Sequence, residues 1–323
     1  MMMRKLTLFL ALMLMLQLQL TAQTQKVKFR KIPAELLEQT THPLDSQADA
    51  AILYQYCRVY YALTNGWFDT HTFVHKRIKI YNQDGMGWAD FAIPYYAEGN
   101  FVKFKAYTYN LEEGKVVETK LENDNFNTEE FNKVFKRRKF AMPAVSPGSV
   151  IDIEYEISEP SSISLQPYYL QEEIPVDFVE YEVEIPKYYT FNKSVKGLPL
   201  PVTRKNDSRT GVIPGSGGSQ TGNDNYAIYV DIYTASNVPA LKEEPFVPSM
   251  NNYRTSINYE LSYIQGSSGK ITNFSNTWDN IAQLLMESED FGRQMELRLT
   301  ELNPLVEQWM LLPAEERVNA VYY

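Results

Sequence analysis

Along "GSVIDIEYEI" (148–157), apolar and acidic residues alternate without a break. Ile151, Ile153, Tyr155 and Ile157 share one face, and Asp152, Glu154 and Glu156 share the other. Successive side chains of a strand point to opposite faces, so this period of two predicts a half-buried β-strand. "VEYEVEIP" (179–186) repeats the pattern, with Val179, Tyr181, Val183 and Ile185 set against Glu180, Glu182 and Glu184. "VHKRIKIY" gives a basic version in which His75, Arg77 and Lys79 alternate with Lys76, Ile78 and Ile80, and "NYAIYVDIY" (225–233) gives an aromatic one. Asp84-Gly85, Glu113-Gly114 and Pro147-Gly148 punctuate these runs as turns. Short strands, frequent turns and abundant tyrosine predict a mainly β fold, an antiparallel β-sandwich.

Two stretches break the rhythm. "TRKNDSRTGVIPGSGGSQTGNDN" (203–225) lacks periodicity and is rich in glycine, serine and asparagine, which predicts a flexible loop inside the sandwich. After residue 270 the spacing turns helical: Trp278, Ile281 and Leu285, then Phe291 and Met295, with Ser275 or Thr277 as caps. "LVEQWMLL" continues after Asn303-Pro304, and "PAEERVNAVYY" begins a last amphipathic helix, with Pro313 at its first position and Glu315 and Glu316 in its first turn. That helix has no glycine or basic ending before Tyr323, and an isolated helix this short is marginal in water. The domain reading is therefore 1–22 as a leader, 23–270 as the sandwich, and 271–323 as a helical segment.

The leader sets the compartment. A basic "MMMRK", the apolar run "LTLFLALMLMLQLQL" and a small Ala22 have the form of a secretory signal peptide, implying export to the periplasm or cell surface. Gln17 and Gln19 dilute the run below what a spanning helix needs, so no membrane span is expected after cleavage. Cleavage removes Arg4 and Lys5 and moves the formal charge from −9 to −11. So acidic a chain lacks the clustered positive charge that nucleic acid or anionic lipid requires. Cys57 is the sole cysteine, so no internal disulfide can form and stability rests on apolar burial.

Five groups of residues could carry chemistry. Cys57 in "LYQYCRVYY" could be a nucleophile, but it lacks a helix start to lower its pKa, and a buried structural thiol is the expectation. Asp69, His71 and His75 could converge on a strand face as metal ligands, without an HExxH pattern or a fourth donor nearby. The carboxylate rows could serve as paired acids or hold calcium. Their ordinary reading is a solvated sheet face, with His75, Arg77 and Lys79 as cross-strand partners. "KVFKRRKF" (133–140) is a basic knot, expected at a charge-protected strand edge. Tyr54, Tyr56, Tyr60, Tyr61, Tyr95, Tyr96, Tyr168 and Tyr169 could line a glycan groove or fill the core, the core being expected. No catalytic, cofactor or metal residue is assigned from these patterns.

Five segments occur in a telling order: "LDSQADAAILY" (44–54), "HKRIKIYNQDGMGWADFAIPYY" (75–96), "AMPAVSPGSVIDIEYEI" (141–157), "QEEIPVDFVEYEVEIP" (171–186) and "NVPALKEEPF" (237–246). Together, over roughly residues 30–265, they resemble an N-terminal β-rich family of unknown function in exported bacterial proteins, commonly followed by a transglutaminase-like domain. The resemblance implies that "EERVNAVYY" leads into such a core, whose cysteine, histidine and aspartate would lie beyond Tyr323. No residue here takes their roles. The chain is then expected to be a noncatalytic scaffold or substrate-presenting front portion of a truncated protein, with the missing transglutaminase-like domain as its partner. The competing expectation is a stand-alone module of the cell envelope that binds glycans or proteins through its tyrosines and the 203–225 loop.

Overall fold

The structure is a computed structural model, and it describes residues 27–322 except 65, 123–124, 161–163, 214–223, 243–244, 248, 267–268, 275–277, 290 and 297–301. The signal-peptide segment 1–22 and the cap candidates Ser275 and Thr277 lie outside the described residues. The strands, in chain order, are β1 (Ala50–Thr64), β2 (Trp67–Ile80), β3 (Asp90–Tyr96), β4 (Asn100–Glu112) and β5 (Lys115–Lys120). Next come β6 (Asn127–Glu130), β7 (Phe135–Ala141), β8 (Val150–Glu159), β9 (Tyr168–Tyr169) and β10 (Val176–Pro186). The last five are β11 (Tyr189–Lys196), β12 (Thr203–Ile213), β13 (Asp224–Val238), β14 (Ser256–Gln265) and β15 (Ile271–Asn273). A short helix, α1 (Ala34–Glu38), precedes them, and α2 (Trp278–Glu287), α3 (Asn303–Met310) and α4 (Ala314–Tyr322) follow.

Eight strands form one open sheet in the order β12-β13-β10-β1-β2-β8-β4-β5. Its pairs are antiparallel except β1 with β10, which run parallel in register from Ile52↔Val176 to Val59↔Val183. Two smaller sheets lie against one face of it. β11, β14 and β15, with β9 on β14, cover one half, and β3-β7-β6 cover the other. The mainly β, largely antiparallel layered fold agrees with the alternation in the sequence.

The core fills the space between these layers. Val179, Tyr181, Val183 and Ile185 of β10 point inward with Ile151, Ile153 and Ile157 of β8, as period two requires. Tyr181 stacks on Tyr168 at 4.2 Å and meets Tyr259 of β14 edge-on, while Phe104 of β4 meets Phe140 of β7 at 5.0 Å. Rings of this size account for much of the buried apolar area. Tyr61 and Tyr95 are buried in this core, as expected, whereas Tyr54 and Tyr56 are buried on the sheet's other face, Tyr54 edge-on to His75 and Tyr56 donating to Glu182; Tyr60, Tyr96, Tyr168 and Tyr169 are half-buried.

The polar stretch at 203–225 corrects the sequence reading. Residues 203–213 are not a loop but β12, an edge strand paired with β13 from Thr203↔Thr234 to Ile213↔Asp224. It is polar on both faces because neither face is covered by another layer, so its side chains give no alternation to read. Residues 214–223 fall outside the described positions. The helical expectation after residue 270 agrees with α2, α3 and α4, but residues 271–273 are strand β15 on β14, Phe291 and Met295 fall at a 3-10 turn over Gly292–Glu296, and Pro313 sits just before α4, its carbonyl accepting from the Glu316 and Arg317 N–H groups. No helix among the described residues is long and apolar enough to cross a membrane.

Candidate functional site

The carboxylate rows and the basic row of β2 meet on the outer face of the large sheet. That face is not solvated throughout, which corrects the expectation: Asp152 and Lys79 have no exposed surface, and Arg77 and Glu182 are nearly as deep. For Asp152, Arg77 and Lys79 the cause is the segment before β1, which crosses this part of the face. Phe29, Ile32, Leu36 and Leu37 pack on Tyr107, Tyr109 and Val150. The Arg30 backbone N–H donates to Asp152 Oδ2 at 2.8 Å, and Arg77 Nη2 donates to the Lys28 carbonyl at 3.0 Å.

Beneath that strap, His75 and Arg77 form the expected cross-strand partnership, whereas Lys79 does not: it donates to the backbone carbonyls of Leu37 and Gly148. Asp152 accepts from His75 Nε2 at 2.8 Å and from Arg77 at 3.2 and 2.9 Å. Burial pushes the Asp152 carboxyl up, but the hydrogen bonds from His75 and Arg77 outweigh it and hold the group below its ordinary value. Beyond the strap, Glu182 accepts from Tyr56 and Arg209, Glu184 from Arg58 and Arg209, and Glu156 from Tyr60 and His71. Each of these carboxylates is committed to donors, which argues against calcium binding or paired acid chemistry there.

The same strand geometry separates the suggested metal ligands. Side chains four residues apart on a strand stand about 13 Å apart. His71 accordingly turns to Glu156, and His75 to Asp152. The two rings do not converge, and no group of three ligand-type side chains among the described residues could hold a metal ion. Cys57 lies on the opposite, inner face, buried, and burial pushes its thiol up. A thiol and two imidazoles on opposite faces of one sheet cannot make a nucleophile–base pair. The basic knot is also placed differently from expectation: β7 is the central strand of its sheet rather than an edge. Its charges are used locally, Lys139 pairing with Glu129 at 2.8 Å and Arg138 lying 3.9 Å over Phe101.

One concave feature is on the inner side, where β3 and the turn before it stand over β2 and β8. A cavity of about 560 Å³ opens there, within the range that holds small ligands. Val74, Lys76 and Ile78 of β2 and Ile153 and Tyr155 of β8 make its floor, and Trp88 and the run from Asp90 to Pro94 border it together with Glu173. Lys76 is held 3.8 Å from Glu172, whereas Asp84, Asp90 and Glu173 are exposed at the wall. Burial pushes the Tyr155 hydroxyl up, so it stays protonated and can only donate or accept hydrogen bonds. Sequence reasoning passed over this site. One signal was available, the proline inside "FAIPYY", because a proline within a strand run marks an edge.

A family model, the Domain of Unknown Function with solved structure called DUF3857, matches residues 69–212, from β2 through most of β12. No curated protein matches the chain. Among solved structures, the fold is similar to a crystal structure from Parabacteroides distasonis described as a "putative protease", with a TM-score of 0.56 and 15% identity. The similarity covers 85% of this chain and 49% of that one, so this chain spans about half the length of the similar structure. At that identity the likeness is one of fold.

Proposed function

We propose that this chain is a noncatalytic β module of an exported protein, which scaffolds a transglutaminase-like, cysteine acyl-transfer or peptidase domain and presents substrate to it. The observation that carries the reading is the apolar surface of the C-terminal helices. Trp278 is 86% exposed and Leu311 87%, and Leu285, Met310, Val318 and Val321 are also exposed. Among the described residues, α2 meets chiefly the turn after it and α3 meets α4, with no extensive contact to any strand. Helices of eight to ten residues are marginal in water without a packed face. Such a stripe suits burial against another domain. The burial of Cys57 away from both strand histidines supports placing the chemistry in that other domain.

The test is made in the source organism. Antiserum against residues 27–265 should detect an exported polypeptide about twice this length, in keeping with the length of the similar structure. A thiol-directed activity probe should label it outside residues 1–323. Detection solely of a chain of this length, with no probe-labelled protein co-purifying, contradicts the reading.

A further inference from the structure

We propose that the free edge of β3 binds a short extended peptide carrying basic side chains, adding it as a fourth strand to the β6-β7-β3 sheet over the 560 Å³ cavity. This deepens the substrate-presenting part of the reading above by naming the substrate class, though its observations are independent of the helices.

Five consecutive residues, Asp90 to Pro94, border the cavity. Alternate residues of a strand face opposite ways, so an unbroken run can line one cavity only where the strand meets it with its edge. The ladder confirms which groups that edge offers. Met142 N–H donates to the Ala89 carbonyl, and Ala97 N–H to the Val134 carbonyl, which fixes the odd-numbered residues as those bonded to β7. Asp90, Ala92 and Pro94 therefore turn their backbone groups outward. The outward N–H groups of Asp90 and Tyr96 are taken, by the Gly87 carbonyl and by Glu159 Oε1. The Ala92 N–H and carbonyl are without a partner among the described residues, as are the outward carbonyls of Asp90 and Pro94.

An incoming strand could thus exchange a full pair of hydrogen bonds with Ala92 and donate to the carbonyl on either side. Pro94 has no N–H, so pairing stops there, which limits the guest to about four or five residues. The rim selects its charge. Asp84, Asp90 and Glu173 are exposed around the cavity, and its lone cation, Lys76, is already turned to Glu172. A guest with lysine or arginine next to β-branched residues complements both the acids and the apolar floor.

The experiment uses the whole chain and two fluorescein-labelled peptides, acetyl-Thr-Lys-Val-Arg-Thr-amide and its acidic counterpart acetyl-Thr-Glu-Val-Glu-Thr-amide, read by anisotropy. The basic peptide should bind saturably and at least tenfold more tightly than the acidic one. Ala92→Pro removes the one free edge donor while leaving every β3–β7 bond in place, and should weaken binding at least tenfold. Should Ala92→Pro fail to fold, the pair Asp90→Asn with Glu173→Gln decides, since it should abolish the preference for the basic peptide. No saturable binding of either peptide, or binding unmoved by these substitutions, overturns the proposal. Such a failure would leave the exported longer polypeptide of the preceding section untouched, and the converse also holds.

Discussion

At Lys79 an ammonium group without exposed surface donates to the carbonyls of Leu37 and Gly148, at 3.1 and 2.6 Å, and has no carboxylate beside it among the described residues. Burial alone lowers its pKa from 10.5 to about 8. The unfolded chain then binds more protons than the folded one between those values, so the penalty is greatest below pH 8 and is relieved as pH rises toward 10. Lys79→Met removes the titration. Its urea-derived stability relative to the parent should be more favourable at pH 7.5 than at pH 9.5, by about 2 kcal/mol. Asp152 behaves in the opposite sense. Its pKa is lowered in the fold, so its contribution is intact above about pH 4 and is lost as pH falls through the lowered value. Asp152→Ala strands the buried Arg77 and should cost roughly 3–5 kcal/mol at pH 7 by urea unfolding, and the loss should shrink in acid. Both positions were legible as members of an alternating polar row. Their burial was not, because the strap that covers them comes from residues 27–38, remote in sequence and without periodicity of its own.

Among the elements, β8 and β10 could be read directly, since a core on one face and a charged row on the other print a period of two. β12 could not. Its order comes from the β13 ladder and from Asp231, which accepts from Arg204 at 2.8 Å and Asn206 at 2.6 Å. Gly211 is part of the same device: a Cβ there would lie 2.3 Å from the Tyr226 ring, so the glycine lets that ring lie across the strand. Gly211→Val should loosen the β12–β13 hairpin and cost about 1–3 kcal/mol by thermal or urea unfolding. A fully polar variant of a solvent-only position, Ser208→Thr, should be close to neutral by the same measurement. The C-terminal helices were legible from their spacing, but spacing cannot say what their apolar faces meet, and among the described residues they make no extensive contact with any strand.

For the whole molecule, the inner and outer faces of one sheet divide the chemistry. The outer face holds His71, His75 and their carboxylate partners, the inner face holds Cys57 in the core, and the cavity lies where the β3 edge crosses that inner face. The fold class followed from alternation and turn residues. The cavity did not, since it depends on how a small sheet sits on a large one, and no local pattern records that. The reading proposed above requires that this chain perform no thiol chemistry itself. The most direct measurement compares amide hydrolysis and acyl transfer by the purified parent chain and by Cys57→Ala, before and after iodoacetamide. Two indistinguishable proteins at the level of the blank are expected, with the parent thiol alkylated only on unfolding. Iodoacetamide-sensitive turnover that Cys57→Ala abolishes would contradict that reading.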